Sequence, residues 1–357
     1  MDLVEINGSM GEGGGQILRY SLSLSALTLK PVRVFNIRAK RDNPGLRPQH
    51  LTAVKALAML TNASVRGDYV GSMEIVFEPK ERLSGCFKLD IGTAGSISLV
   101  IQAILPELVF SDRDSRLEIT GGTDVAWSPP IDYMRFVFKH NLSLIGIDID
   151  IDLRRRGHYP RGGGVVVVYV KPVKDYINSI NIVESKGVLN IKGLSHAVKL
   201  PRHVAERQAS SALKYIEEKL GLKPVIDIES YPLDKDPHLG PGSGIVLYSD
   251  TKSGTRLGSD SLGERGKRAE DVGLEAAEKL VSTINTGMAF DKHMGDMFIP
   301  YLFLARGESC IGVSEITLHT LTAISVARKF MPDVEVNVVG EEGSPGKICV
   351  KSTGFKP

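Results

Sequence analysis

Glu12 stands between Gly11 and the run Gly13-Gly14-Gly15, directly ahead of the helix-like stretch "QILRYSLSLSAL". Glycines at a helix start let backbone N–H groups approach an anion, and the positive end of the helix favours negative charge there. The run "GEGGGQ" lacks the lysine of G-x-x-x-x-G-K-[ST]. It also places Gln16 where a dinucleotide fingerprint has its third glycine. A glutamate repels a bare phosphate but can take a divalent cation that bridges phosphate oxygens. A plain turn, with Glu12 favouring the positive helix end, accounts for the stretch equally well.

Cationic side chains cluster next. "NIRAKRDNPGLRPQH" sets Arg38, Lys40, Arg41 and Arg47 close together, with Arg38 and Lys40 expected on one side of a strand end and Gln49 and His50 opening the following helix. Arg19, a turn into the first helix, can reach back toward the glycines. Guanidinium forks beside a helix terminus suit polyphosphate or RNA phosphate, and a solvated basic face is the alternative. "RRRGHYPRGGG" reads first as a hairpin, with an RNA-binding edge through Arg154, Arg155, Arg156, Arg161 and Tyr159 as its second role. "LPRHVAER" reads the same way.

The candidate nucleophile comes from the far end of the chain. In "SEITLHTLTAISVARKF", His319 falls at a strand-to-helix junction. The positive helix end disfavours imidazolium there, and a neutral imidazole can attack an electrophilic phosphorus to give a phosphoramidate. A hydrogen-bonded polar residue with no catalytic role is the alternative. His140, His196, His238 and His293 have no comparable setting. "KLDIG" lacks the K-x-D-G spacing of lysine-adenylating ligases.

Residues so far apart need a frame that brings them together. Apolar periodicity and Val/Ile-rich runs predict three β-α-β-α-β-β units. The first holds helices near 16–27 and 47–60 with strands "RVFNIRA" and "MEIVFEP". The second runs from "FKLDI" to "GVVVVYVKP", and the third from "KHMGDMFIPYLFL" to "KICVKS". Between the second and third units lie about a hundred residues with helices and strands of their own, about the size of a small domain. The expected fold is α/β (α+β): a large domain of residues 1–182 plus 284–357, interrupted by a smaller α/β domain at 183–283.

Composition excludes other classes. A formal net charge of +2 gives no global basic field, so an anion site must be local. The apolar stretch "SISLVIQAILPELVF" is broken by Gln102, Pro106 and Glu107, and the opening "MDLVEINGSM" has no signal-like core. A cytoplasmic protein without membrane segments is expected. Cys86, Cys310 and Cys349 are widely spaced and odd in number, which predicts neither a disulfide framework nor a zinc site.

Taken in order, "GEGGGQILR", "IRAKRDNPGLRPQHLTAVKA", "TAGSISLVIQAILP", "GGTDVAWSPP", "GHYPRGGG", "LPRHVAER" and "SEITLHTLT" resemble the RNA 3′-terminal phosphate cyclases over nearly the whole chain. The resemblance implies three repeats plus an inserted domain. It also implies an ATP-dependent conversion of an RNA 3′-terminal phosphate to a 2′,3′-cyclic phosphodiester, through covalent histidine–AMP and RNA-adenylate intermediates. It implies His319 as nucleophile and Glu12 as the carboxylate for Mg²⁺ or Mn²⁺. Arg19, Arg38, Arg41, Gln49 and His50 resemble the lining of the phosphate and RNA channel. Gln102, Pro129, Tyr133, Asp296 and His319 resemble the nucleotide pocket, with Tyr133 offering an aromatic face. Two departures stand out. Met297 follows Asp296 where some members have glutamine, and "GSDSLGERG" has no aromatic residue for the adenine.

Three other readings compete. A non-catalytic, cyclase-like ribosome-assembly factor would lack the nucleophilic histidine. An enolpyruvyl transferase would carry six repeats rather than three. A plain RNA-binding module leaves Glu12 and His319 unexplained.

Overall fold

A computed structural model describes residues 3–356. The first unit runs β1 (Val4–Asn7), α1 (Gly15–Thr28), β2 (Val32–Phe35), α2 (Pro48–Thr61), β3 (Ser64–Arg66) and β4 (Ile75–Glu78). The second runs β5 (Cys86–Asp90), α3 (Ile97–Val109) and β6 (Ser115–Gly121). One helical stretch follows, made of α4 (Ile131–Tyr133), a π turn (Met134–Phe138) and α5 (Lys139–Ser143). The hairpin β7 (Asp148–Arg155) and β8 (Gly164–Lys171) closes the unit. The short strands β9 (Ile177–Asn178) and β10 (Asn181–Ile182) open the third.

The chain then leaves that third sheet before completing it. It forms β11 (Val188–Val198), α6 (His203–Leu220), β12 (Val225–Ser230), β13 (Gly242–Thr251), β14 (Arg256–Leu262) and α7 (Ala269–Asn285). It returns as α8 (Lys292–Met297), α9 (Ile299–Leu304), β15 (Ala305–Val313), α10 (Leu318–Phe330), β16 (Glu335–Val339) and β17 (Gly346–Thr353). The extra residues therefore enter inside the third unit, after its first strand, and not between the second and third units.

The three sheets share one topology: β1-β2-β4-β3, β5-β6-β8-β7 and β10-β15-β17-β16, with β9 also pairing β15. In each, the first two strands of this order are parallel and the other pairings along it antiparallel, while β9 runs parallel to β15. Parallel neighbours need a crossover, which the intervening helix supplies, and the tight β-β return at the end of each unit needs none. The sheet of β11–β14 has a different order, β12-β11-β13-β14, and its own apolar core of α6 and α7 side chains such as Ala212, Ile216, Ala276 and Leu280.

Helix α1 lies at the centre of the main core. Ile17, Leu18, Leu22, Leu24 and Leu27 are buried, and the helix meets α2, α3 and α10. Burying each such leucine contributes roughly 1.5–3 kcal/mol, so the N-terminus of α1 is held firmly against the start of α10. Among the described residues no helix is long and apolar enough to cross a membrane.

The cysteine expectation is corrected by the pairing of β15 with β17. Register sets Cys310 opposite Cys349, and the two form a disulfide with Cα atoms 4.1 Å apart. Cys86 is free and exposed.

Candidate active site

The glycine loop turns into α1 with no side-chain cap at Gly14 and no acidic residue in the first turn, so no side chain at the N-cap takes up the first amides of the helix. Gly13 has φ +62°, a left-handed conformation that costs glycine nothing. Gly15 must be glycine for a different reason. A Cβ there would sit 2.4 Å from His50 Nε2 and 3.1 Å from Arg19 Nη1, so those two side chains lie directly over the backbone.

His50 is 3% exposed, and its Nδ1 accepts the Arg47 backbone N–H at 3.1 Å. Burial, with the positive charges of Arg19, Arg38 and Arg47, pushes its pKa down to about 3. The ring is therefore neutral near pH 7, and with Nδ1 accepting, Nε2 carries the proton and is a donor above Gly15. Arg38 lies in a turn rather than at a strand end: β2 stops at Phe35, and Arg38 has φ +52°. Its Nη1 is buried without a partner, and burial beside Arg47 and Arg41 lowers its pKa. Desolvation likewise lowers the pKa of Arg19. A guanidinium donor buried with no acceptor, amid like charges, is the signature of a site built for an anion.

Glu12 lies beside this cationic group. Its Oε2 accepts from Arg41 Nη2 at 2.9 Å, and the same nitrogen donates to the Glu12 carbonyl at 2.9 Å. The other oxygen, Oε1, is buried with no partner. The Glu12 backbone N–H donates to Thr322 Oγ1 of α10 at 3.3 Å, tying the loop to the helix that carries His319. Gln49 is exposed, its Cβ side facing Gly95 of the loop before α3.

His319 is exposed in the first turn of α10, whose N-cap Thr317 accepts the Thr320 N–H at 3.1 Å. Its Nδ1 lies 2.8 Å from Gln16 Oε1, and Gln16 Nε2 donates to Asp296 Oδ2 at 2.9 Å. Burial raises the pKa of Asp296 to about 6, against the opposing charges of His293, His319 and Arg19, so the carboxyl is mostly ionised at pH 7 and can only accept. That orients the Gln16 amide with its nitrogen toward Asp296 and its oxygen toward His319. Nδ1 of His319 then carries the ring proton, and Nε2 keeps a free lone pair. Tyr20 adds a bond from its hydroxyl to the Asp296 carbonyl at 2.8 Å. Gln16 was not among the expected site residues. Its one sequence signal was a polar residue breaking the glycine fingerprint at the start of an otherwise apolar helix.

The remaining expected pocket residues divide. Gln102 is buried in α3 and its Nε2 lies 3.0 Å from Met297 Sδ, so the methionine that departs from the family pattern is in contact with it. Pro129 is half-buried in the loop before α4. Tyr133 requires a correction: its ring is fully buried and offers no open face. Gly258 of β14 lies against it so closely that a Cβ would come 2.6 Å from the ring, and its hydroxyl donates to Asp291 Oδ1 at 2.7 Å. Asp291 in turn caps α8 and accepts the Gly258 N–H at 2.9 Å. Tyr133 thus joins the β14 sheet to α8. The RNA-edge reading of "RRRGHYPRGGG" is corrected at Arg156, which is fully buried against Asp124, Asp132 and Glu229. In "LPRHVAER", Arg207 and Arg202 are engaged by Glu270 and Glu206 at 2.7 Å each.

Comparison with known proteins is consistent along the whole chain. The family described as RNA 3′-terminal phosphate cyclase matches residues 10–338. The chain is similar to proteins named RNA 3′-terminal phosphate cyclase from Staphylothermus marinus, 65% identical over 357 residues and the full length of both, and from Desulfurococcus amylolyticus, 59% identical over the full length of both. It is 50% identical over 354 residues to the protein of that name from Methanopyrus kandleri, covering 99% of this chain and 100% of the relative. With the histidine, its glutamine–aspartate support and the cationic cradle in one place, and with these matches spanning all three repeats, the chain belongs to the RNA 3′-terminal phosphate cyclase family.

Proposed function

We propose that this protein converts an RNA 3′-terminal phosphate to a 2′,3′-cyclic phosphodiester at the expense of ATP, with His319 as the nucleophile. The observation that carries the reading is the His319–Gln16–Asp296 chain, which leaves one imidazole nitrogen unprotonated and exposed beside a group of arginines with an unmet hydrogen-bond donor. In the first step the Nε2 lone pair attacks the α-phosphorus of ATP. The N–P bond forms, pyrophosphate leaves, and Asp296 through Gln16 supports the positive charge that the ring acquires. In the second step a terminal phosphate oxygen of the RNA attacks the same phosphorus and the N–P bond breaks. The adenylated RNA phosphate now has a leaving group that a monoester lacks. Attack by the neighbouring 2′-hydroxyl then closes the ring, expels AMP and releases the hydroxyl proton, with proximity making this step intramolecular.

Arg19, Arg38, Arg41, Gln49 and His50 would bind the phosphates of ATP and RNA. His50 would do so as a neutral donor and the arginines as charged ones. Glu12 fits a divalent cation, Mg²⁺ or Mn²⁺, through the unpartnered Oε1, since Arg41 engages only the other oxygen. Bound there, the ion would supply charge neutralisation for phosphate oxygens. Gln102, Asp296 and the loop bearing Pro129 are assigned to the nucleotide pocket. We assign the sheet of β11–β14 with α6 and nearly all of α7, whose last two residues run past it, to an inserted domain of residues 183–283.

The test is incubation with ATP radiolabelled at the α-phosphate and a divalent metal, beside His319→Ala. Acid-labile, alkali-stable label on the wild type alone, followed by cyclisation of a 3′-phosphorylated RNA, is the expected result. ATP binding without label on either protein overturns the covalent mechanism.

A further inference from the structure

Away from the phosphate site, the loop after β6 and the β7–β8 hairpin meet strand β11 around three buried side chains that the proposed cyclase chemistry does not use. Asp124, His158 and His196 are 2%, 6% and 1% exposed. Nε2 of His158 and Nε2 of His196 lie 3.0 Å apart. Asp124 Oδ2 is 4.0 Å from His158 Nε2, and the three atoms all fall within 4.8 Å of one another. The packing leaves little freedom: a Cβ on Gly242 of β13 would come within 2.0 Å of the His158 ring.

Two imidazole nitrogens so close are either donor and acceptor to each other or two lone pairs converging on a third atom. A tetrahedral zinc ion with bonds of about 2.0–2.1 Å holds its ligand atoms roughly 3.3 Å apart. To meet that geometry the nitrogen pair would open by about 0.3 Å, and the carboxylate would close on His158 by about 0.7 Å and also draw in toward His196. The carboxylate is already aimed by neighbours of the kind that orient metal ligands. Thr123 Oγ1 donates to Asp124 Oδ2 at 2.6 Å and Arg156 Nη1 donates at 3.2 Å. Charge is a second, independent argument. The buried Arg156 guanidinium faces Asp124, Asp132 and Glu229, and Arg135 reaches only Asp132. Three carboxylates against two guanidinium groups leave an excess of one negative charge around the fully buried Arg156, Asp124 and Asp132, which a cation would balance.

We infer that Asp124, His158 and His196 form a binding site for one transition-metal dication of the zinc type, clamping the second repeat to the β11 sheet. Imidazole pairs select zinc-like ions over magnesium, so this site differs in chemistry from the oxygen-only site at Glu12. The inference does not depend on the cyclase reading.

The full chain, stripped with chelator, is titrated with Zn²⁺ in excess Mg²⁺, and with Co²⁺ as a spectroscopic probe. The expected result is one Zn²⁺ per chain that Mg²⁺ does not displace. It should persist in Glu12→Gln, and binding should weaken at least a hundredfold in His158→Phe and His196→Asn. X-ray absorption at the zinc edge of the Glu12→Gln protein should show two imidazole ligands, a measurement that stands even if the histidine variants fold poorly. No retained Zn²⁺, loss of binding in Glu12→Gln alone, or an all-oxygen coordination shell overturns the site and leaves a His158–His196 hydrogen bond in its place.

Discussion

Replacing Gln16 by leucine cuts the link between the nucleophile and Asp296 while placing a side chain of similar size on α1. In the ground state the lost contact is a neutral hydrogen bond from His319 Nδ1 to Gln16 Oε1 at 2.8 Å, worth about 1 kcal/mol net. As Nε2 bonds to phosphorus the ring becomes cationic, and the same bond becomes charge-assisted, worth roughly 1.5–3 kcal/mol. Only the difference, about 0.5–2 kcal/mol, lowers the barrier, so the expected loss in the adenylylation rate is between ~2-fold and ~30-fold. The assay is single-turnover transfer of radiolabelled AMP to protein at saturating ATP, with ATP binding measured separately. Asp296→Asn refines it, because an amide oxygen can still accept from Gln16 without a charge. Burial raises the Asp296 pKa to about 6, so the carboxylate is the acceptor above that pH, and protonation below it frees the carboxyl to donate and turn the Gln16 amide around. The wild type should therefore lose AMP transfer as pH falls through about 6, a step that Asp296→Asn should lack. An unchanged rate in Gln16→Leu, or a loss wholly explained by weaker ATP binding, would refute the relay.

Gly15→Ala should keep the fold and lose at least about tenfold in AMP transfer, because the new Cβ must displace His50 and Arg19; unimpaired transfer would show that those side chains move at no cost. Glu107, buried in α3 with both oxygens unpartnered, has its pKa raised by burial to about 8. The native state therefore holds a proton that the unfolded state releases near pH 4.3, and stability falls as pH rises from there to about 8. Urea melts should show Glu107→Leu gaining on wild type by roughly 3–4 kcal/mol between pH 5 and pH 8, and a pH-independent difference would contradict the assignment. Removing the Cys310–Cys349 bridge, which closes a sequence separation of 39, should cost about 4 kcal/mol by chain entropy, read from denaturant midpoints of Cys349→Ser.

What the sequence could carry depended on the distance over which each constraint acts. Helices α1, α2, α3 and α10 were readable because their apolar faces repeat over three or more turns, and the long strands β6, β8 and β13 because alternation or Val/Ile runs persist. The short strands β1, β3, β9 and β10 are two to four residues long, too short for a period to emerge. That is why the first strand of the third unit, which precedes the insertion, is not legible in the sequence. Glu12 and His319 were legible as residue types suited to phosphate chemistry, yet nothing local joins them. Their connection runs through Thr322 to the glycine loop and through Gln16 to Asp296, contacts that span 310 and 280 residues. Burial was the other blind quantity. Tyr133 on a helix offers an aromatic face only if no other element covers it, and here β14 does. The pairing of His158 with His196 likewise exists only because the β7–β8 hairpin meets β11. A reading confined to local pattern gave His196 no function, since its partner lies 38 residues upstream in a different sheet. Side chains that act alone can thus be nominated from the sequence. Those that act by positioning another side chain become visible only when the elements are packed.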